Sequence, residues 1–304
     1  MGKVIAFANQ KGGVGKTTLM VNMATSLAER GYAVLVVDMD TQANATKYCG
    51  LEIDQIAYSI GHAMNDVLEN GKLNFRDFRL YRHPRCPNLF VLGTFDEFHK
   101  IKNRLAAECT EGLGQRVLSK VLCQPVRDKF DYIFIDCAPS LDVDLVNALV
   151  AADEVMIITV AGTFSYDGTE KLLKSIRKVK AAFNPDLDIA GVIINCFDKR
   201  NNYSPEMEKL MRESWDGEDR VCKVYDTVVP RSIKVEESQC EQLPMIYYEP
   251  SNPVTLAIEK IVDEFLEEEE RKNGSKKMQP NEPATMETSL KKVERSNLGN
   301  DFQN

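Results

Sequence analysis

The run Lys11-Gly12-Gly13-Val14-Gly15-Lys16-Thr17-Thr18 follows the apolar stretch Val4-Ile5-Ala6-Phe7-Ala8 and leads into a helical pattern, Thr17 to Arg30, that Gly31 stops. Strand, glycine-rich turn and helix in that order read as a phosphate-binding unit. Glycines let backbone N–H groups turn inward around phosphate oxygens at a helix N-terminus. Lys16 can then reach the β- and γ-phosphates, and the Thr17 hydroxyl can hold Mg²⁺. The usual loop reads G-x-x-x-x-G-K-[ST]. Here Gln10 takes the first glycine position, and a second lysine, Lys11, stands beside the glycines. A turn built only to reverse the chain gives no reason for Lys16-Thr17-Thr18.

The alternation continues downstream. Buried strands are predicted at Ala33 to Asp38, Leu89 to Leu92, Tyr132 to Asp136, Val155 to Val160 and Ala190 to Asn195. Helices are predicted from about Asp142 to Ala151, Gly168 to Ala182 and Asn252 to Arg271. Near-continuous apolar strands separated by helices define an α/β fold with a mostly parallel, doubly wound sheet, covered by helices on both faces. Ligands in such sheets sit at the carboxyl ends of the strands. The stretch from about Leu51 to Gln115 is less regular and should hold short helices. One domain is expected over residues 1–272. Residues 273–304 are rich in Lys, Asn, Glu, Ser, Pro and Gln and read as a polar, disordered tail.

The chain has 304 residues, enough for one large α/β domain, and a net charge of −8, so nucleic-acid binding would need a local basic patch or patches combined from two chains. Its eight cysteines are scattered without a C-x-x-C pair and, with no signal peptide, read as reduced cytosolic thiols. No apolar run approaches the roughly 20 residues that span a bilayer.

Three loops should converge at the strand ends. The first is the phosphate loop. The second is Asp38-Met39-Asp40-Thr41-Gln42-Ala43-Asn44. The third is Asp136-Cys137-Ala138-Pro139-Ser140, an aspartate after an apolar strand as in a Walker B pattern. Asp136 there would act on Mg²⁺ through water. Asp40 is the candidate for positioning the attacking water, and Asp38 for orienting the metal shell. Lys11 could stabilise charge on the γ-phosphate of its own site or reach into a partner's site, as an arginine finger does. Gly12 suits two phosphate loops that meet face to face, where a side chain has no space.

This set resembles the ParA/Soj branch of the deviant-Walker P-loop ATPases, the superfamily that includes MinD. The residues carrying the resemblance are Asn9 to Thr18, Asp38 to Thr46 and Phe130 to Ser140, followed by Asn195-Cys196-Phe197-Asp198-Lys199-Arg200, Val229-Pro230-Arg231-Ser232-Ile233-Lys234 and Tyr248-Glu249-Pro250-Ser251. Departures are Thr41 for a usual Pro, Ala138 for a frequent first Pro, Lys234 for Arg, and Glu237-Ser238-Gln239 for Glu-Ala-Pro. The resemblance implies ATP and Mg²⁺ as cofactors and a homodimer that sandwiches ATP, with Lys11 of one chain touching the phosphates of the other. It implies that Thr17 binds the ion, that Asp136 acts through the ion's water, that Asp40 positions the attacking water, and that Asn195 and Pro230 line the adenine. The ATP dimer would bind double-stranded DNA without sequence preference, with Arg200, Arg231 and Lys234 as candidate contacts. A ParB-like partner would stimulate hydrolysis, in a cytoplasmic, nucleoid-associated cycle.

With the phosphate loop near residue 10, the pattern is that of the short type without a helix-turn-helix domain ahead of it. The last helix ends in Glu267-Glu268-Glu269-Glu270, unlike the basic amphipathic helix by which a MinD-like protein lies on a membrane. Two alternatives share the phosphate loop. One is an ATPase that positions a protein cargo. The other is a metabolic ATPase, or a reductase with an iron–sulfur cluster between subunits, for which Cys137 would be the starting ligand.

Overall fold

Among the residues described by the computed structural model (1–95, 98–109, 114–140, 142–200, 203–216, 221–272 and 274), seven strands share one sheet. They are β1 (Lys3–Ala8), β2 (Val34–Asp38), β3 (Tyr81–Arg82), β4 (Leu89–Leu92), β5 (Tyr132–Asp136), β6 (Glu154–Val160) and β7 (Asp188–Asn195), in the order β3-β4-β2-β5-β1-β6-β7. The helices in chain order are α1 (Lys16–Glu29), α2 (Asn44–Tyr48), α3 (Ile60–Asn70), α4 (Phe98–Glu108), α5 (Val117–Val121), α6 (Gln124–Arg127), α7 (Val143–Ala151), α8 (Thr163–Ala182), α9 (Tyr203–Trp215), α10 (Lys234–Cys240), α11 (Met245–Tyr248) and α12 (Pro253–Lys272). All strand pairs are parallel except β3 with β4, a two-residue antiparallel edge. The fold is therefore the expected mostly parallel α/β sheet.

The period of two in each strand splits the core in two. In β1, Val4, Ala6 and Ala8 face one layer with residues of α3, α5, α7, α8 and α9. Ile5 and Phe7 face the other, with α1 and α12. Both faces are thus covered, which is why the strands carry few polar residues.

From β1 the chain crosses to β2 on one side of the sheet, and from β5, the neighbour of β1, it crosses to β6 on the other, so the strand order reverses between β5 and β1. Such a reversal opens a crevice at the carboxyl ends of the strands. Register places Phe7 and Asp38 both opposite Asp136, and this brings the loops after β1, β2 and β5 to one edge.

Several elements depart from the sequence reading. α8 begins at Thr163 rather than Gly168, because Thr163-Phe164-Ser165-Tyr166-Asp167 are weak helix formers whose helical state is set by packing. The stretch from Leu51 to Gln115 holds β3 and two helices, α3 and α4, of 11 residues each. Ser59 and His62 form a capping box at the start of α3, and Gly71 ends it at φ 71°.

The glutamate run at the end of α12 is partly structural. Lys3 Nζ lies 2.5 Å from Glu269 and 3.0 Å from Glu154, and Lys223 lies 3.2 Å from Glu268. Glu269 is buried, so losing Lys3 would strand a carboxylate in the core. The predicted tail, apart from residue 274, lies outside the described residues.

Candidate nucleotide site

The phosphate loop is built where β1 hands over to α1. Gly13 and Gly15 adopt φ of 74° and 84°, the left-handed region that side chains rarely enter. At Gly15 a Cβ would also collide with the Asn195 amide nitrogen. Asn195 Nδ2 donates to the Val14 carbonyl at 2.8 Å and so ties the end of β7 to the loop. Asn9 holds the other side, its Oδ1 accepting from the Lys11 N–H at 2.8 Å. Lys16, the first residue of α1, is buried.

Thr17 Oγ1 donates to Asp136 Oδ2 at 2.7 Å, while Asp136 Oδ1 is buried without a hydrogen-bond partner among the described residues. An orphaned carboxylate oxygen beside a threonine hydroxyl is a pair of hard oxygen donors of the kind a hydrated divalent cation takes. The residues therefore fit Mg²⁺, and Thr17 and Asp136 are the candidates to hold it.

Asp38 is hydrogen-bonded to its own loop and to α2. Its Oδ2 accepts from the Thr46 N–H at 2.9 Å and the Thr46 hydroxyl at 2.7 Å, and its Oδ1 from the Asp40 N–H at 3.1 Å. Those bonds clamp the loop after β2 to the start of α2. Asp38 thereby positions that loop, and Asp40 with it, while orienting the metal shell stays a proposal for it. Asp40 Oδ1 accepts from the Gln42 N–H at 3.0 Å, and Asp40 lines the same cavity as Lys16, Thr17 and Pro139, of about 450 Å³.

Burial pushes both Asp38 and Asp136 above the ordinary carboxylate range. For Asp136 the second cause is repulsion from Asp38, with Thr17 and Lys16 pulling the other way. A carboxyl group raised by folding stabilises the protein fully below its ordinary value, near pH ~4. That contribution is lost as pH climbs through the raised value. Without nucleotide and Mg²⁺, Asp136→Asn is thus expected to melt with the unaltered chain near pH ~4 and above it by pH ~8. The expected gain is at least ~1 kcal/mol, or about 2–4 °C. Parallel melting profiles across that range would contradict the raised value.

Lys11 does not lie over its own loop. Its exposed side chain reaches Ser165 Oγ at 3.2 Å, at the start of α8. Gly12 has neither a positive φ nor a neighbour within 4 Å of an added Cβ, so nothing in a single chain requires glycine there.

Asn195 and Pro230 line a second cavity of about 430 Å³, with Leu19, Val235 and Ile258 as apolar walls. It suits a flat, mostly apolar group next to the phosphate cavity. Cys137 is buried in the core layer of α7 and α8, with its thiol toward the Ile135 carbonyl at 3.9 Å.

The three candidate DNA contacts separate. Arg200 forks onto Asp198 with two 3.0 Å bonds, which hold that carboxyl well below its usual range. Lys234 Nζ pairs with Glu237 at 2.8 Å, and the Tyr248 hydroxyl donates to the same oxygen at 2.7 Å. Arg200 and Arg231 share the lip of a third cavity, of about 600 Å³, with Lys199 and Lys260. Lys260, on α12, has no motif to mark it in the sequence. Lys234 stands apart from this lip. Among the described residues no helix is long and apolar enough to cross a membrane.

Fold and site together define a P-loop nucleotide-binding protein of the deviant type. A model of the AAA domain family AAA_31 matches residues 2–189. The chain is 34% identical over 257 residues to the sporulation initiation inhibitor protein Soj of Bacillus subtilis, covering 82% of this chain and 92% of Soj. It is 32% identical over 267 residues to the chromosome partitioning protein ParA of Caulobacter vibrioides, covering 88% and 95%. Its structure is similar to cobyrinic acid a,c-diamide synthase of Mycobacterium smegmatis with bound ATP analog and magnesium, at TM-score 0.70 and 25% identity, over 93% of this chain and 100% of the synthase. The chain belongs to the ParA/Soj family.

Proposed function

We propose that this protein is a DNA-partition ATPase whose ATP-bound homodimer holds double-stranded DNA without sequence preference and releases it on hydrolysis stimulated by a ParB-like partner. The observation that carries the ATPase reading is the Thr17–Asp136 bond of 2.7 Å, set beside buried Lys16 and with Asp40 on the same cavity. Partition is supported by the likeness to the Caulobacter ParA.

The backbone amides of the phosphate loop and Lys16 would bind the phosphates. Thr17 and Asp136 would hold Mg²⁺, which when bound neutralises charge on the β- and γ-phosphates. Asp40 would accept a hydrogen bond from the attacking water and orient it. Lys11 would leave Ser165 for the phosphates held by the second chain and add charge where the transition state needs it. Asn195 and Pro230 would border the adenine.

A homodimer of this kind brings Gly12 against its counterpart. Gly12→Val is expected to leave the melting temperature and monomer ATP affinity nearly unchanged and to stop ATP-dependent dimerisation, as read by sedimentation. An ATP dimer of that variant would remove the face-to-face arrangement.

The deciding experiment is binding to a random-sequence duplex without nucleotide, with ADP and with ATP, at two salt concentrations. Binding that needs ATP and weakens steeply with salt is expected. The lip formed by Lys199, Arg200, Arg231 and Lys260 carries four cations against the one carboxylate of Asp198. Arg231→Ala should weaken binding to all sequences about equally and lower the salt slope by about 1 for each phosphate that the arginine neutralises. An ATP dimer that binds no DNA would shift the reading to the positioning of a protein cargo.

A further inference from the structure

We infer that Gln239 reads the ribose of the bound nucleotide, giving this site a preference for ribonucleotides over their deoxy counterparts. The inference rests on the nucleotide reading above and goes beyond it.

The phosphate cavity and the apolar cavity meet along a strip made of Gly13, Gly15, Thr18 and Gln239. A nucleotide with its phosphates in one and its base in the other must place its sugar on that strip. The strip's polar side chains are those of Thr18 and Gln239. Gln239 Nε2 donates to Thr18 Oγ1 at 2.5 Å. That bond orients the amide and leaves its carbonyl oxygen as an acceptor, the group a sugar hydroxyl needs.

The backbone that carries Gln239 is held from beneath. Ser238 is fully buried, and its hydroxyl lies 2.9 Å from the Tyr48 hydroxyl. Tyr48 in turn accepts from Asn22 Nδ2 at 3.1 Å. These bonds pin the end of α10 to α1 and α2, so an exposed side chain at 239 is presented from a fixed position. The Ser238-Gln239 pair thus has one physical account, a supported amide at the sugar strip.

The experiment compares ATP, 2′-deoxyATP and 3′-deoxyATP binding to the full chain and to Gln239→Ala, by calorimetry with Mg²⁺. The unaltered chain is expected to bind ATP about fivefold to tenfold more tightly than one of the deoxy analogues, the loss of one hydrogen bond. Gln239→Ala should lose a similar factor for ATP and almost nothing for that analogue, so that the preference disappears. Equal losses for all three nucleotides would mean that Gln239 only shapes the pocket, and would overturn the inference alone. Failure of the unaltered chain to bind ATP would overturn the nucleotide reading and this inference with it.

Discussion

Lys16→Ala is expected to cut ATP affinity by at least about 100-fold and so to abolish binding at micromolar protein and nucleotide. Lys16 is buried at the first position of α1, beneath a glycine turn that only its backbone geometry allows. Its ammonium is the cation closest in effect to Asp136, where it opposes the combined push of burial, Asp38 and Asp40. Removing it has two consequences of the same sign. A charge-assisted bond to the phosphates disappears, about 1.5–3 kcal/mol per hydrogen bond. The phosphates must then approach a group of three aspartates without the buried cation that balances them, an arrangement that costs more than the missing bond. Calorimetric titration with ATP and Mg²⁺ reads the result. Retained micromolar affinity would place the phosphates elsewhere. The variant should still fold, because relief of the buried ammonium partly offsets the added repulsion between Asp136 and Asp38.

The phosphate loop, the central strands and the convergence of three loops were legible because each rests on a local signal: glycine geometry, period-two burial, or a carboxylate at a strand end. Other parts were not, because their meaning depends on partners distant in sequence. The bonds from Thr46 that hold Asp38 were hidden, since nothing in Thr46 itself announces a clamp. Asn195 carries the loop through the Val14 carbonyl, a contact that only the fold creates. Ser165, which holds Lys11, lies in a helical turn whose composition hides it. Glu269 reads as solvated charge in a run of four glutamates, yet it is buried against Lys3 from the other end of the chain. Arg200 and Lys234 are cations in the right motifs, but each meets a carboxylate within three residues, which weakens the case for them and leaves Arg231 with the larger share.

Asp40→Ala is expected to leave ATP affinity within a few-fold and dimerisation intact, while lowering kcat by about 100-fold to 1000-fold. The geometry separates these effects. Asp40 lines the phosphate cavity but belongs to neither the glycine turn nor the Thr17–Asp136 pair that would hold the ion. Its Oδ1 already accepts from Gln42, and its own N–H is held by Asp38, so its carboxylate sits at a fixed place on the cavity wall. Phosphoryl transfer to water has a loose transition state, and much of what a protein can add is an oriented nucleophile. A carboxylate in that position supplies orientation. Stability should change little, since the missing Gln42 bond is offset by less repulsion toward Asp38 and Asp136, both of which Asp40 pushes upward. Asp40→Asn sharpens the test. It keeps an acceptor for the Gln42 N–H and the shape of the side chain but lacks the negative charge. If orientation by the carboxylate matters, Asn should be nearly as slow as Ala, with melting temperature and ATP affinity close to those of the unaltered chain. Phosphate release at saturating ATP, with and without duplex DNA, measures the rates. Normal turnover by Asp40→Ala would move the water-positioning role to another group on the cavity and leave Asp40 a loop residue.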